Sequence, residues 1–197
     1  MLLYNSAVSG NCYKARLLLA HLGRPYETTE VDVVDRSGRQ ELLEGLNPAL
    51  RVPTLVLDDG RPLAESGAIL WYLARGTPYL PRDPFAQAKV LQWMFFEQYS
   101  HEPNVAVARF WLTHELEFDP ERLAERQRLG HAALEAMETH LTDEHFFVGG
   151  RYSIADIALY AYTHVAHEGG FDLEGYPQTR AWIARVADQP GHVPIAA

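Results

Sequence analysis

The sequence predicts an α/β unit followed by an all-helical one, and three observations carry that prediction. Residues 1 to about 76 alternate short apolar, β-branched runs with stretches of helical spacing; prolines crowd positions 78, 81 and 84; beyond residue 85 only helical periodicity recurs. A stretch with that proline density admits neither a helix nor a central strand. Residues 77–84 are therefore expected to be a linker between domains at 1–76 and 85–197.

Leu2-Leu3-Tyr4 is a short strand. Ser6 to Asn11 turns the chain into a helix of about residues 11–22, with Ala15, Leu18, Leu19 and Leu22 on one face and Gly23 as its stop. Pro25 breaks the chain before a second strand, Tyr26 to Val34, whose alternation is only fair. Residues 37–45 form a short helix closed by Gly45, and Asn47-Pro48 marks a turn. Pro53 heads the run Thr54-Leu55-Val56-Leu57; a proline cannot donate to a ladder, so it begins a strand or sits on an edge. Asp58-Asp59-Gly60 reverses the chain in a hairpin, and Ser66 is the expected N-cap of a helix through Ile69, Leu70 and Leu73. The β-α-β-α-β-β-α order implies a mixed sheet with helices packed on it.

The second half has helices at about 85–115, 120–141, 153–167 and 177–188. Pro120 suits a helix start, and Pro103 is expected to kink the first long helix near Tyr99 and Asn104. Trp93, Met94, Phe95, Phe96, Tyr99, Phe110 and Trp111 along that helix supply core or subunit interface. Ser153-Ile154-Ala155-Asp156 is a capping box, with Tyr152 and Ile157 placed as a hydrophobic staple. The small and apolar residues that follow predict a buried central helix, which makes Asp156 a stability element rather than a catalytic acid.

Composition narrows the function. At 197 residues and 47% hydrophobic content the chain can bury a sizeable core, as one domain or two small ones. Lys plus Arg is 17 against 26 Asp plus Glu, a net charge of −9 with no basic patch, which argues against nucleic-acid binding. An anion can still be held where helix termini and an arginine converge. No apolar run reaches the ~18 residues of a membrane helix, and Met1-Leu2-Leu3-Tyr4 lacks signal-peptide character, so a cytoplasmic location without membrane contact is expected. The single Cys12 excludes an internal disulfide and a cysteine-based zinc site. His164 and His167 beside Glu168, and His140 near His145, have metal-like spacing but no evident third ligand, so no metal is expected.

The stretch from Arg51 to Ser66 concentrates the chemistry. It offers a backbone edge beside Pro53, the carboxylate of Glu65, and a helix N-terminus that favours anions. Those groups suit a small peptide with a charged amine and carboxylates.

An α/β unit with Val52-Pro53 at a strand start, Glu65-Ser66 before its last helix, a proline linker, and a helical domain with Ser153-x-x-Asp156 resembles the cytosolic glutathione transferase family. The resemblance covers essentially the whole chain; each motif is weak alone, and their order and spacing make them specific. It implies a thioredoxin-like N-terminal domain plus an all-α C-terminal domain, glutathione as co-substrate, and a homodimer. It further implies that the bond before Pro53 is cis, that the Val52 backbone meets the cysteinyl part of glutathione, and that Glu65 and Ser66 hold the γ-glutamyl end. Where the family often has Gly-Lys before Val-Pro, this chain has Leu50-Arg51, and Arg51 keeps a cation for the glycyl carboxylate.

In such families a hydroxyl or a cysteine in the turn between the first strand and first helix contacts the glutathione sulfur. By the resemblance Ser9 falls at that position, with Asn11 two further on, as in bacterial members with a Ser/Thr-x-Asn pattern. Lowering a thiol from ~8.5 by ~2 units needs only about 2.7 kcal/mol, within reach of one O–H donor and a helix terminus. Ser9 and Asn11 equally fit helix-capping roles. Cys12 is placed past the reacting position and is expected to be packed; Tyr4 is expected in the core. The resemblance puts the acceptor wall on the first long helix, where Tyr99, Asn104 and Arg109 are expected to border the pocket for a hydrophobic electrophile. The expected activity is glutathione transfer; disulfide or peroxide reduction with glutathione, or non-catalytic binding and regulation on the same fold, are the alternatives.

Overall fold

The computed structural model describes residues 1–195, and the chain divides into two compact units: Met1–Thr77 with the chain from Pro190 onward, and Pro78–Gln189. The first unit runs β1 (Leu2–Asn5), α1 (Gly10–His21), β2 (Glu27–Glu30), α2 (Arg39–Leu43), β3 (Thr54–Val56), β4 (Pro62–Ala64) and α3 (Ser66–Ala74). The strands order β2-β1-β3-β4, with β2 parallel to β1 and the other neighbours antiparallel. Pro62 opens an edge strand, where its missing N–H costs nothing. The Asp-Gly turn closes as expected, with Leu57 N–H on the Arg61 carbonyl at 3.0 Å and Gly60 at φ +84°.

Three boundaries differ from the sequence-based expectation, one through a side chain and two where the backbone takes a positive φ. The second strand stops at Glu30 rather than Val34, because Asp32 Oδ1 accepts the Val34 and Asp35 N–H groups (2.6 and 3.1 Å). An acidic side chain that bonds its own backbone competes with the ladder. The short helix starts at Arg39, behind Gly38 at φ +69°. Ser66 is the first residue of α3 and not its cap; the cap position is Glu65, at φ +69° and without a side-chain cap bond.

Helix α1 is enclosed on nearly every side. Besides the expected apolar face it buries Tyr13, Lys14, Arg16 and Leu17.

The second unit comprises α4 (Pro84–Phe96), a π-turn (Glu97–His101), α5 (Glu102–Thr113), α6 (Pro120–Leu141), α7 (Ile154–Thr163), a 3-10 turn (Ala166–Gly169) and α8 (Pro177–Ala187). Pro84, Pro120 and Pro177 each stand at a helix start, where the missing N–H has no partner to lose. Asp83 and Asp119 cap α4 and α6 by accepting Ala86 N–H (2.8 Å) and Glu121 N–H (2.9 Å). The disturbance expected at Pro103 takes the form of the π-turn. The Glu102 N–H reaches back to the Glu97 carbonyl, and the Asn104 side chain donates to the Ser100 carbonyl at 2.7 Å.

Helix α7 is buried along its whole length, and the capping box is present. Asp156 accepts four hydrogen bonds: Phe147 N–H (3.1 Å) and Trp182 Nε1 (3.0 Å) on Oδ1, Ser153 N–H (2.9 Å) and Ser153 hydroxyl (3.1 Å) on Oδ2. It therefore ties the box to α8 and the preceding loop. The helix ends at Thr163, short of the expected 167. There the Thr163 hydroxyl donates to the Leu159 carbonyl (2.7 Å), His164 Nδ1 meets the Tyr160 carbonyl (2.7 Å), and Gly170 at φ +79° closes the 3-10 turn. In α6, Gly130 lets the helix backbone lie against the buried ring of Phe171.

Candidate glutathione site

The sheet register brings the sequence-selected residues of the first unit to one end. Tyr4 pairs with Thr54, and Thr54 with Ala64, so the C-terminal ends of β1 and β4 flank the start of β3. One step further along the antiparallel register, Pro53 faces Asn5 on one side and Glu65 on the other. The same end receives the turn into α1, with Ser9 and Asn11, and the first residue of α3. Helices α1 and α3 thus point their N-termini toward the Val52-Pro53 corner, as anion binding requires. The Val52-Pro53 peptide is cis.

A direct contact links the two helix starts: Ser66 Oγ donates to Asn11 Oδ1 at 3.2 Å. Asn11 Oδ1 also accepts from Lys14 Nζ at 2.8 Å. Ser9 is the N-cap of α1, its oxygen accepting the Cys12 N–H at 3.3 Å. A serine oxygen that accepts from a helix still carries its own O–H as a donor. Capping and donation to a second partner are therefore compatible.

The loop before Pro53 is braced from within. Asn47 Nδ2 donates to the Arg51 carbonyl (2.9 Å) and to Thr54 Oγ1 (3.1 Å), Asn47 Oδ1 accepts the Ala49 N–H (3.0 Å), and the Thr54 hydroxyl also reaches the Arg51 carbonyl (2.9 Å). Neither backbone group of Val52 is hydrogen-bonded to another described residue. An extended edge with free donor and acceptor is what a peptide ligand pairs with.

The charges around this corner are cationic in a chain that is acidic overall. Arg51 is exposed, and Arg39 is held below its usual range first by burial and then by the neighbouring Arg36 and Arg51 guanidiniums. Glu65 is exposed beside the start of α3, where a carboxylate can meet an ammonium. Cys12 is fully buried, and burial pushes its thiol up to about 11, against the opposing pull of the Ser9 hydroxyl. At neutral pH it is a thiol, not a thiolate, and a poor nucleophile.

Of the second-unit residues, Tyr99 is 87% exposed on the π-turn. Asn104 is buried, with its carbonyl accepting from Arg126 Nη1 at 3.2 Å, and Arg109 Nε pairs with Glu168 Oε2 at 2.6 Å. His140 bonds the Phe147 carbonyl (3.1 Å), and His164 stacks on Tyr160. No group of three or more His, Cys, Asp or Glu able to hold a metal ion occurs among the described residues.

Sequence reasoning passed over Asn47, Lys14, Arg36 and Arg39. Lys14 carried a signal, since it shares the apolar stripe of α1 with Ala15 and Leu18; the arginines carried none. A cleft of about 860 Å³ opens at the other end of the sheet, lined by Met1, Arg24, Tyr26, Asp58 and Tyr72 among others, away from all of these groups.

Residues 8–75 match the family described as glutathione S-transferase, N-terminal domain, and residues 93–190 the corresponding C-terminal domain. The chain is 48% identical to a glutathione S-transferase from Pseudomonas fluorescens Pf-5 whose crystal structure superposes with a TM-score of 0.96, covering 100% of this chain and 98% of that one. It is 31% identical to a maleylacetoacetate isomerase of Pseudomonas aeruginosa, over 95% of this chain and 90% of that protein. It is 30% identical to the disulfide-bond oxidoreductase YfcG of Escherichia coli, over 93% and 89% respectively.

Proposed function

Because the chain belongs to the glutathione S-transferase family, we propose that it binds glutathione at the Val52-Pro53 corner and transfers it to a small hydrophobic electrophile. The observation that carries this reading is the convergence of Val52-Pro53, Glu65-Ser66 and the α1 start at one end of the sheet, joined by the Ser66–Asn11 hydrogen bond. Val52 pairs its free N–H and C=O with the cysteinyl backbone. Glu65 and Ser66 take the γ-glutamyl amine and carboxylate, and Arg51 takes the glycyl carboxylate.

Ser9 donates its O–H to the glutathione sulfur. That donor, with the amides at the α1 N-terminus, favours the thiolate; the thiol proton leaves to solvent. The sulfur lone pair then forms a bond to the electrophilic carbon, and a leaving group departs with its electron pair or a double bond accepts it. Asn11, oriented by Lys14 and Ser66, supports the same end of α1. For the acceptor wall we carry Tyr99 forward, since its ring is exposed whereas Asn104 and Arg109 are engaged by Ser100, Arg126 and Glu168. A homodimer belongs to the reading, and the exposed Phe85 and Phe95 of α4 are suited to cover by a second copy.

The test is Ser9→Ala, read by thiolate absorbance of bound glutathione against pH and by conjugation of a chlorodinitroaromatic. The expected result is glutathione affinity within a few-fold of wild type, a bound thiol pKa raised by about two units, and turnover at pH 7 down by about 25-fold. Unchanged thiol pKa and turnover would refute the role of Ser9. The similarity to a disulfide-bond oxidoreductase favours a second reading, reduction of disulfides by glutathione at the same site. A glutathione mixed disulfide assayed beside the electrophile separates the two, and binding without turnover of either would mark a non-catalytic protein.

A further inference from the structure

One peptide group in the turn between β1 and α1 is held from both sides. The Ala7 N–H donates to Glu30 Oε2 at 3.1 Å, and the Ala7 carbonyl accepts from Arg16 Nη2 at 3.0 Å. Glu30, the last residue of β2, also accepts from the Asn5 side chain. Ser9 lies two residues beyond Ala7, and the Ser9 N–H closes the turn on the Ser6 carbonyl at 3.1 Å. Whatever fixes Ala7 therefore fixes the approach of Ser9.

Arg16 is itself fixed by a distant part of the chain. The same Nη2 donates to the Ile195 carbonyl at 2.6 Å. One turn earlier on α1, the Tyr13 hydroxyl donates to the Val193 carbonyl (2.7 Å) and lies 3.2 Å from His192 Nε2; at the far end of α1, His21 Nδ1 bonds the Pro190 carbonyl (2.9 Å). The chain from Pro190 to Ile195 is thus strapped along α1 by main-chain carbonyls. Arg16 is buried, and among the described residues its hydrogen bonds go to carbonyls rather than carboxylates and its Nε has no partner. Burying a guanidinium in this way costs stability that an apolar side chain would not. Among the described residues the Arg16 hydrogen bonds go to the Ser9 turn and the strap, and the guanidinium lies 5.8 Å from the centroid of the Tyr13 ring.

We propose that Arg16 is a positioning residue for the Ser9 hydroxyl: held by the Ile195 carbonyl, its guanidinium grips the Ala7 peptide and so aims the turn at the glutathione sulfur. This rests on the reading of Ser9 as the donor to that sulfur. Both carbonyls are bonded by the one Nη2, so the hold depends on the reach and fixed in-plane direction of that N–H pair, which the shorter, flexible stem of a lysine reproduces poorly. A purely electrostatic effect of the positive charge on the thiol would survive that exchange.

The experiment measures the pKa of glutathione bound to the full-length protein by thiolate absorbance, with KM and kcat for a chlorodinitroaromatic, in Arg16→Met, Arg16→Lys, Ser9→Ala, the Ser9→Ala/Arg16→Met double variant, and a chain ending at Gly191. Arg16→Met and the shortened chain should raise the bound thiol pKa by about one unit, about a threefold loss of thiolate at pH 7 and about tenfold at pH 5.5 and below. The KM for glutathione should move less than about twofold, Arg16→Lys should recover less than half of the shift, and the double variant should match Ser9→Ala. Full recovery by lysine, an additive double variant, or a shortened chain with the wild-type thiol pKa would overturn the proposal. Should Arg16→Met fail to fold, the shortened chain and Arg16→Lys decide. A Ser9→Ala variant with unchanged thiol pKa would instead sink the reading of Ser9 beneath it.

Discussion

Replacing Gly130 by alanine sets two effects of opposite sign against each other at one buried position. Gly130 lies on the buried face of α6, and alanine is the better helix former there by about 1 kcal/mol. The added methyl would lie 2.4 Å from Phe171 Cε1, 2.6 Å from Cζ and 3.4 Å from Val105 Cγ2. Carbon atoms in good contact are about 3.5–4.0 Å apart, so the ring must retreat by roughly 1 Å. It has little room: Phe171 is 1% exposed, and the His131 ring packs 5.2 Å away. Overpacking costs about 1–3 kcal/mol, and contacts this short on a confined ring belong at the upper end. The net expectation is destabilisation by about 1–2 kcal/mol, a fall in thermal midpoint of roughly 2–8 °C for a chain of this size. Melting followed by circular dichroism measures it. In a Phe171→Leu background the same change should become neutral or stabilising, because the clash is gone and the helix preference remains. A Gly130→Ala protein that melts at or above the wild-type temperature would show that the α6–Phe171 approach is looser than these distances require.

Two further outcomes are expected. Asn47→Ala removes three side-chain hydrogen bonds within the loop before Pro53; the KM for glutathione should rise several-fold with kcat within about twofold, and an unchanged KM would show that the loop holds its shape without Asn47. Burial lowers both His21 and His192, and His21 further lowers His192, so the docked strap favours neutral rings. A detached strap binds protons from the ordinary value of 6.5 downward while the docked one resists them, so docking weakens as pH falls through and below 6.5. Among the described residues His192 also meets the Tyr13 hydroxyl, and His21 the Pro190 carbonyl. Amide exchange of residues 190–195, corrected for intrinsic rates, should be faster at pH 5.5 than at 7.5; equal protection would count against the histidine contacts as the cause.

Local chemistry was legible where a residue's role depends on its neighbours in sequence. The Asp58-Asp59-Gly60 hairpin, the prolines at helix starts and the Ser153-x-x-Asp156 box all act within a few residues, and all were readable from spacing. Ser66 is the first helical residue and not the cap because Glu65, at φ +69°, takes the cap position, and the Ser66 hydroxyl donates instead to Asn11, 55 positions away in sequence. The second strand is shorter than its residue pattern suggests because Asp32 takes the backbone N–H groups of Val34 and Asp35. Val52-Pro53 and Glu65-Ser66 were found by resemblance, whereas Asn47, which shapes the loop between them and α2, looked like an ordinary turn residue. The strap had no signature at all. Its residues have no periodicity, and their partners Tyr13, Arg16 and His21 sit some 170–180 positions earlier.

The widened turn from Glu97 to His101 makes the α4–α5 junction tolerant of a single-codon deletion. The Glu102 N–H pairs five residues back, with Glu97, so the turn holds one residue more than unbroken α-helix needs. Loss of one residue there would leave ordinary helix with the α5 side chains still on their present faces, Asn104, Val105 and Ala108 inward. The same deletion in the regular turns of α5 would swing every later side chain by about 100° and draw it back by about 1.5 Å, so a one-residue change in length is tolerable at the π-turn and not in the helix on either side of it.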